Sequence, residues 1–456
     1  MRKLLFTLFS CVLLLSCSNK EDSELELISF PNMQKVVADD GDEVLLELSS
    51  ILTITDYQLF INNNEIIYSA YDNGILFEAA YTDGKDGDIY LKHKQSGSIV
   101  KGPQLLVRRS YSYFFYSDVN IAYTSGSLYL DDEGCTYGSF QISDEIYFKR
   151  ACYDKTIEGR PFYAIDNEYI TTKVPEIDPA LMASYPYLDG RDDVDRRGFT
   201  KYGNKIYTYV LHVERKNYRN LLHLIFEYDI VKKTFYPYNV IDGDGGIAKA
   251  DMDGFTTDIR VDSKGTLYAL CVDIPGIYKL DKQKGNYVFA GSKIESGDKN
   301  GVGSEARFKD IVMFKVDKKD NIYVAEKNRI RMITPDGTVS TLAGDTKAGD
   351  RTGAISDALF TDIMGIAVAP DNSIYILEKD KKELKIINAE RTEVSKFKIK
   401  TSSTSLFSNK QYAVEMEVNK NGVVELCVYS YNSERYKAYF LASIMPNDFI
   451  RSDDGE

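Results

Sequence analysis

The stretch that decides the fold runs from Asn321 to Gly344, NIYVAEKNRIRMITPDGTVSTLAG. It reads as three short strands with turn residues between them. Ile322 and Val324 alternate with Tyr323 and Ala325, the period-two pattern of a strand. Residues 329–333 alternate charged and apolar, and 339–342 supply a third apolar run. Asp336-Gly337 between them predicts a tight two-residue hairpin, because Asp and Gly tolerate positive φ. Upstream, 311–316 gives a fourth strand, closed by the turn Lys318-Lys319-Asp320. Four antiparallel strands joined by tight turns leave two apolar faces that such a sheet cannot bury alone.

The pattern recurs on both sides. Upstream it is 259–262, 266–270, 276–280 and 287–291; downstream it is 365–369, 373–377 and 384–387. Val261, Val316 and Val368 hold equivalent places, a period of roughly 50 residues, as in propeller blades. The connectors repeat as well. Ala290-Gly291 leads through Gly297-Asp298 to Ala306, Phe308 and Asp310, and Ala343-Gly344 leads through Gly349-Asp350 to Ala358, Phe360 and Asp362. These residues resemble the NHL-repeat family of β-propellers, most closely over 255–387. The resemblance implies a fold and no fixed set of functional residues.

The chain has 456 residues, enough for one large domain and a small one, and a formal net charge of −13. An acidic chain lacks the cation excess that neutralises phosphates, so nucleic acid is not an expected partner. The amino end reads as a targeting segment. Arg2-Lys3 precedes an apolar run, 4–15, too short to span a bilayer. The run ends Leu14-Leu15-Ser16-Cys17, which resembles a bacterial lipobox. That resemblance implies lipidation of Cys17 and a membrane lipid anchor, and the acidic tether 18–26 resembles a surface-export tag of outer-membrane lipoproteins.

Residues 27–108 read as a small all-β domain, with strands near 44–48, 57–61, 65–68, 75–80, 88–93 and 105–107. Residues 79–91 and 103–107 resemble an immunoglobulin-like IPT/TIG domain, which implies a spacer. From 111 to 450 the expectation is a six-bladed NHL-type β-propeller, all β. Tyr111-Ser-Tyr-Phe-Phe-Tyr116 is strongly strand-forming, and the last blade shows only three strands of its own, so this run is expected to supply its fourth. Blade one is expected over 134–177, with separate strands at 162–165 and 169–174, and blade two over 198–239. The connector 175–197 between them carries Tyr185, Tyr187, Arg191, Asp192, Asp193 and Arg196.

Candidate site residues cluster in the connectors that gather on one face of such a ring. Tyr185, Tyr187, Arg191, Asp298, Arg307, Asp350, Arg351 and Tyr431 suit a ligand with apolar faces and hydroxyls, such as a sugar. Of the 34 Tyr, those at 268, 323 and 375 recur at one blade position and are expected to pack. Asp242-Gly-Asp-Gly with Asp251 and Asp253 suggests calcium, though no Glu follows at the spacing of an EF-hand loop. Four cysteines, 135, 152, 271 and 427, remain beyond the leader without metal spacing; Cys271 and Cys427 are expected as buried free thiols, and Cys135 and Cys152 fall on neighbouring strands, which leaves their pairing open. A zinc held by three His from different blades, known in related propeller lyases, cannot be assembled from His93, His212 and His223. The reading favoured is a non-catalytic binding protein of the outer-membrane surface. The layout resembles accessory glycan-binding or adhesion lipoproteins of nutrient-uptake systems, with an outer-membrane transporter as partner. The alternatives are a lactonase or lyase with a channel metal, and a docking scaffold in the envelope.

Overall fold

A computed structural model describes residues 28–51, 53–80, 85–116, 128–130, 135–142, 145–157, 160–173, 193–213, 221–232, 234–241, 257–271, 275–281, 285–292, 294–401, 411–431 and 437–446. The chain divides into two compact units between Ser110 and Tyr111.

The first unit is built from two sheets. One orders Val36–Asp39, Ile99–Arg108, Gly87–His93, Tyr57–Ile61 and Asn64–Ile66; the other orders Glu43–Glu47, Gly74–Glu78 and Ser69–Tyr71. Alternation does the sorting: in Glu43–Glu47 only Val44 and Leu46 are buried, and they join Leu59, Ile75, Leu91 and Leu105 in one core. The last strand is longer than its apolar residues suggest, because Gly102 and Pro103 sit at a register shift opposite 88–90. A bulge accommodates proline's missing donor without ending the strand.

The second unit is a β-propeller. Blades three to five are the repeat read from the sequence. Blade three is Thr257–Val261, Leu267–Cys271, Gly276–Asp281 and Gly285–Gly291; blade four is Ile311–Val316, Ile322–Glu326, Arg329–Ile333 and Thr338–Gly344; blade five is Ile363–Val368, Ile374–Glu378, Glu383–Ile387 and Glu393–Lys400. Blade six has Gln411–Val418, Val424–Tyr431 and Lys437–Pro446. Its fourth strand is Tyr111–Tyr116, antiparallel to Lys437–Pro446. The same strand also pairs in parallel with the outer strand of blade five through Ile399 and Lys400. Among the described residues, the first strands of six sheets touch in sequence and return to the start: Leu128–Leu130, Asp193–Tyr202, Thr257–Val261, Ile311–Val316, Ile363–Val368, Gln411–Val418 and back to Leu128–Leu130.

Three expectations need correction. Blade one draws its first strand, Leu128–Leu130, from upstream of 134, and the two strands expected at 162–165 and 169–174 are one strand, Arg160–Lys173. Its polar interruption is a bulge, where the register jumps from Asp166 opposite Arg150 to Ile170 opposite Phe148. Blade two starts inside the expected connector: Asp193 and Arg196 lie on the strand Asp193–Tyr202 and pair with Val213 and Val210. The turn at Asp336-Gly337 is wider than two residues. Thr334 N–H donates to Thr338 O, Gly337 N–H donates to Thr334 O, and only Gly337 takes positive φ, at 87°.

The buried cores lie between adjacent sheets: Ile330, Ile333 and Val324 of blade four pack with residues of blades three and five. Ring closure rests on Tyr111–Tyr116, whose Ser112 has strand neighbours on both sides, Lys400 and Met445. Ser112→Pro removes a backbone donor from a strand bonded along both edges. We expect it to lower the Tm of the propeller by several degrees in calorimetry, with Ser112→Ala close to wild type.

Candidate functional site

At the centre of the ring, charged side chains from three different blades meet. Glu415, on the first strand of blade six, accepts from Arg260 of blade three and from Lys315 of blade four. Lys315 Nζ also lies 2.8 Å from Glu417, and Arg260 Nη1 donates to Asp258 Oδ1 at 2.7 Å. The Arg260 guanidinium lies 6.0 Å from the Phe314 ring centroid. Arg260, Lys315 and Glu415 are all buried. Removing such charges from water is costly, and only mutual pairing makes it tolerable.

The cluster holds three carboxylates against two cations. Burial, aided by Glu415 and opposed by Arg260, raises Asp258 from its ordinary 3.8 to about 7. Burial works in the same direction on Glu415, but Arg260 and Lys315 outweigh it and hold this carboxyl below its ordinary value. Burial, with Glu415 nearby, pushes the Cys427 thiol well above the usual range, so this cysteine is a buried neutral thiol.

A second device fixes the connectors between blades. In blade four the fully buried Arg331 donates to Lys299 O at 3.1 Å, Arg307 O at 3.1 Å and Asn300 Oδ1 at 2.7 Å, and it lies 5.2 Å from the Phe308 ring. Glu326 pairs with Arg329 and accepts the Lys309 N–H at 2.7 Å. Blade five repeats the arrangement with Lys385. It donates to Leu359 O at 3.1 Å, pairs with Glu378 at 2.7 Å and lies 5.2 Å from Phe360. Glu378 accepts the Thr361 N–H and hydroxyl. The repeated Phe of the connectors therefore belongs to a clamp: a buried cation on the third strand, a glutamate ending the second, and a ring beneath. At the opposite end of the blades, Asp262 and Asp317 cap the turns after the first strands and accept from Tyr268 and Tyr323. Tyr268, Tyr323 and Tyr375 are all buried.

Strand direction places the connectors, and the turns between second and third strands, at one end of the ring. Asp298 and Arg307 lie in the connector from blade three to four, Asp350 and Arg351 in that from four to five, and Tyr431 ends the second strand of blade six. Asp298 is exposed. Arg307 Nε donates to Glu295 at 3.0 Å, and its Nη1 donates to Ser304 O at 2.6 Å and Ala306 O at 2.7 Å. Asp350 pairs with Lys385 at 2.8 Å and Lys381 at 2.9 Å, and hydrogen bonding to these cations holds its carboxyl at about 2. Arg351 Nε donates to Asp357 O at 2.6 Å. Arg307, Asp350 and Arg351 thus brace their own connectors, and each keeps partial access to water. Tyr185, Tyr187, Arg191, Cys17 and the acidic residues at 242, 244, 251 and 253 lie outside the described residues, as does the Tyr431 side chain. Among the described residues, no group of three or more His, Cys, Asp or Glu is placed to hold a metal. His212 and His223 sit on adjacent strands of blade two, and His93 is buried in the first unit.

Sequence reasoning missed Arg260, Lys315, Arg331 and Lys385. Their signal was present: each is a cation flanked by apolar residues within a strand, where an unpaired charge is not sustainable. It also missed the exposed apolar pair of the blade three to four connector, Ile294 at 88% and Val302 at 53% exposure.

No family model and no curated protein matches the chain. Solved structures do. One, described as a structural genomics protein of unknown function from Bacteroides thetaiotaomicron, shares 12% identity over 93% of this chain and 99% of its own, with a TM-score of 0.44. An auxiliary nutrient binding protein from the same organism shares 15% identity over 79% and 95%, at a TM-score of 0.35. A streptogramin B lyase shares 12% identity over 86% and 98%, at 0.39.

Two measurements test the central cluster. Glu415→Gln leaves Arg260 and Lys315 short of their shared anion, and urea unfolding should show a loss of about 3–5 kcal/mol. Asp258 is raised in the folded state, so its contribution is greatest below pH ~4 and is lost as pH rises through about 7. The Tm of wild type minus that of Asp258→Asn should therefore fall from pH 5 to pH 8. A difference that stays flat would show that Asp258 ionises normally.

Proposed function

We propose that the chain is an outer-membrane surface lipoprotein, anchored through lipidated Cys17, that binds a ligand without transforming it. In this reading the first unit is an IPT/TIG-like spacer, and the six-bladed NHL-type propeller presents its connector face to a glycan or an adhesion partner. One observation carries the binding role: the connectors are clamped at their base and open at their tips. Arg331 holds the carbonyls of Lys299 and Arg307, and Lys385 holds that of Leu359, while Ile294, Val302, Asp298 and Arg351 are exposed. Fixed loops lose little freedom on binding, so their contacts translate into affinity. Apolar side chains beside carboxylates and guanidinium groups suit a sugar ring, with its apolar faces and hydroxyl rim.

At the ring's centre Arg260 and Lys315 are paired with Glu415 across three blades and are committed to it rather than to a ligand. Affinity electrophoresis on a polysaccharide panel tests the reading. Retention on at least one polysaccharide is expected, weakened about fivefold in Ile294→Ala, the effect of roughly 1 kcal/mol of lost apolar contact. Absence of retention throughout would overturn glycan binding. Anchoring is tested by fractionation: the wild type should pellet with membranes and Cys17→Ser should not.

A further inference from the structure

Blade one departs from the repeat, and the connector motif that meets a buried cation in blades four and five is missing from its sequence. What it has is a pair of cysteines in register. Its second and third strands, Cys135–Ile142 and Glu145–Ile157, run antiparallel with Cys135 directly opposite Cys152. Directly opposed residues lie on one face of a sheet, with Cα atoms about 4.5–5.5 Å apart. A disulfide spans Cα separations of about 4.4–6.8 Å. No other cysteine lies on this sheet: Cys271 is on blade three, and Cys427, on blade six, is buried as a free thiol.

We infer that Cys135 and Cys152 form a disulfide that staples blade one across its two central strands. The bond lies beside the segment that pairs with the first strand, since Thr136 opposes both Ala151 and Leu130. It thus secures the blade where that strand joins the ring. Formation is a thiol–disulfide exchange: the two thiols give up two protons and two electrons, and the disulfide of an oxidant is reduced to two thiols. That an oxidant meets the protein in the cell rests on the export reading above.

The test uses the full chain, expressed with its leader, alkylated at lysis and mapped by mass spectrometry without reduction. A linked Cys135–Cys152 peptide pair, two hydrogens lighter than the separate peptides, is expected, and reductant should lower the Tm of wild type but not of Cys135→Ser. Reduced protein is then exposed to glutathione disulfide in its folded state. Closure of this pair supports the inference wherever the protein resides, and thiols that remain free overturn it. Recovery in the cytoplasm with thiols that close on glutathione disulfide overturns the export reading and leaves the pairing standing.

Discussion

Glu415 is the point on which the ring turns. One carboxylate accepts from Arg260 of blade three and Lys315 of blade four, so three blades far apart in sequence answer to one charge. Hydrophobic burial between neighbouring sheets tolerates small rotations, because apolar contact has no direction. An ion pair withdrawn from water has strict geometry and a severe cost when broken. The apolar cores thus hold each sheet to the next, and the central cluster fixes how distant blades are placed around the axis. The excess carboxylate in that cluster is accommodated by Asp258, whose proton is retained to about 7.

The same logic is repeated farther out. Arg331 and Lys385 are cations at fully buried positions, each beside a glutamate and over a phenylalanine ring. They use remaining donors on the carbonyls of the connector that arrives from the preceding strand. These bonds add to the connector's own backbone pairing, as between Arg307 N–H and Lys299 O and between Gly349 N–H and Phe360 O. The polar residues of these connectors therefore divide between those that brace the loop and those left at its tip.

The repeat was legible because packing imposes a period. Val261, Val316 and Val368 recur since each first strand meets the same neighbour, and Tyr111–Tyr116 was legible as a missing fourth strand because an open ring would leave an edge. Blade one was harder, since a bulge at Asp166 looks like a loop when only side-chain polarity is read. The bracing contacts of Arg307, Asp350 and Arg351 were not legible, because polarity in a connector does not say what it faces. The salt bridges of Asp350 and the backbone bonds of the two arginines come from partners that no local pattern contains. The central cluster was hidden for the same reason: Arg260 and Glu415 are 155 positions apart.

The ring is fastened by joining the opening strand of the propeller to a strand of blade six, Tyr111–Tyr116 to Lys437–Pro446. A ribosome makes the first more than three hundred residues before the second, so every product cut short ahead of Lys437 lacks that partner. Premature termination therefore cannot yield a ring closed in this way. Shortened chains are left open to proteases, and the architecture itself sorts complete copies from incomplete ones.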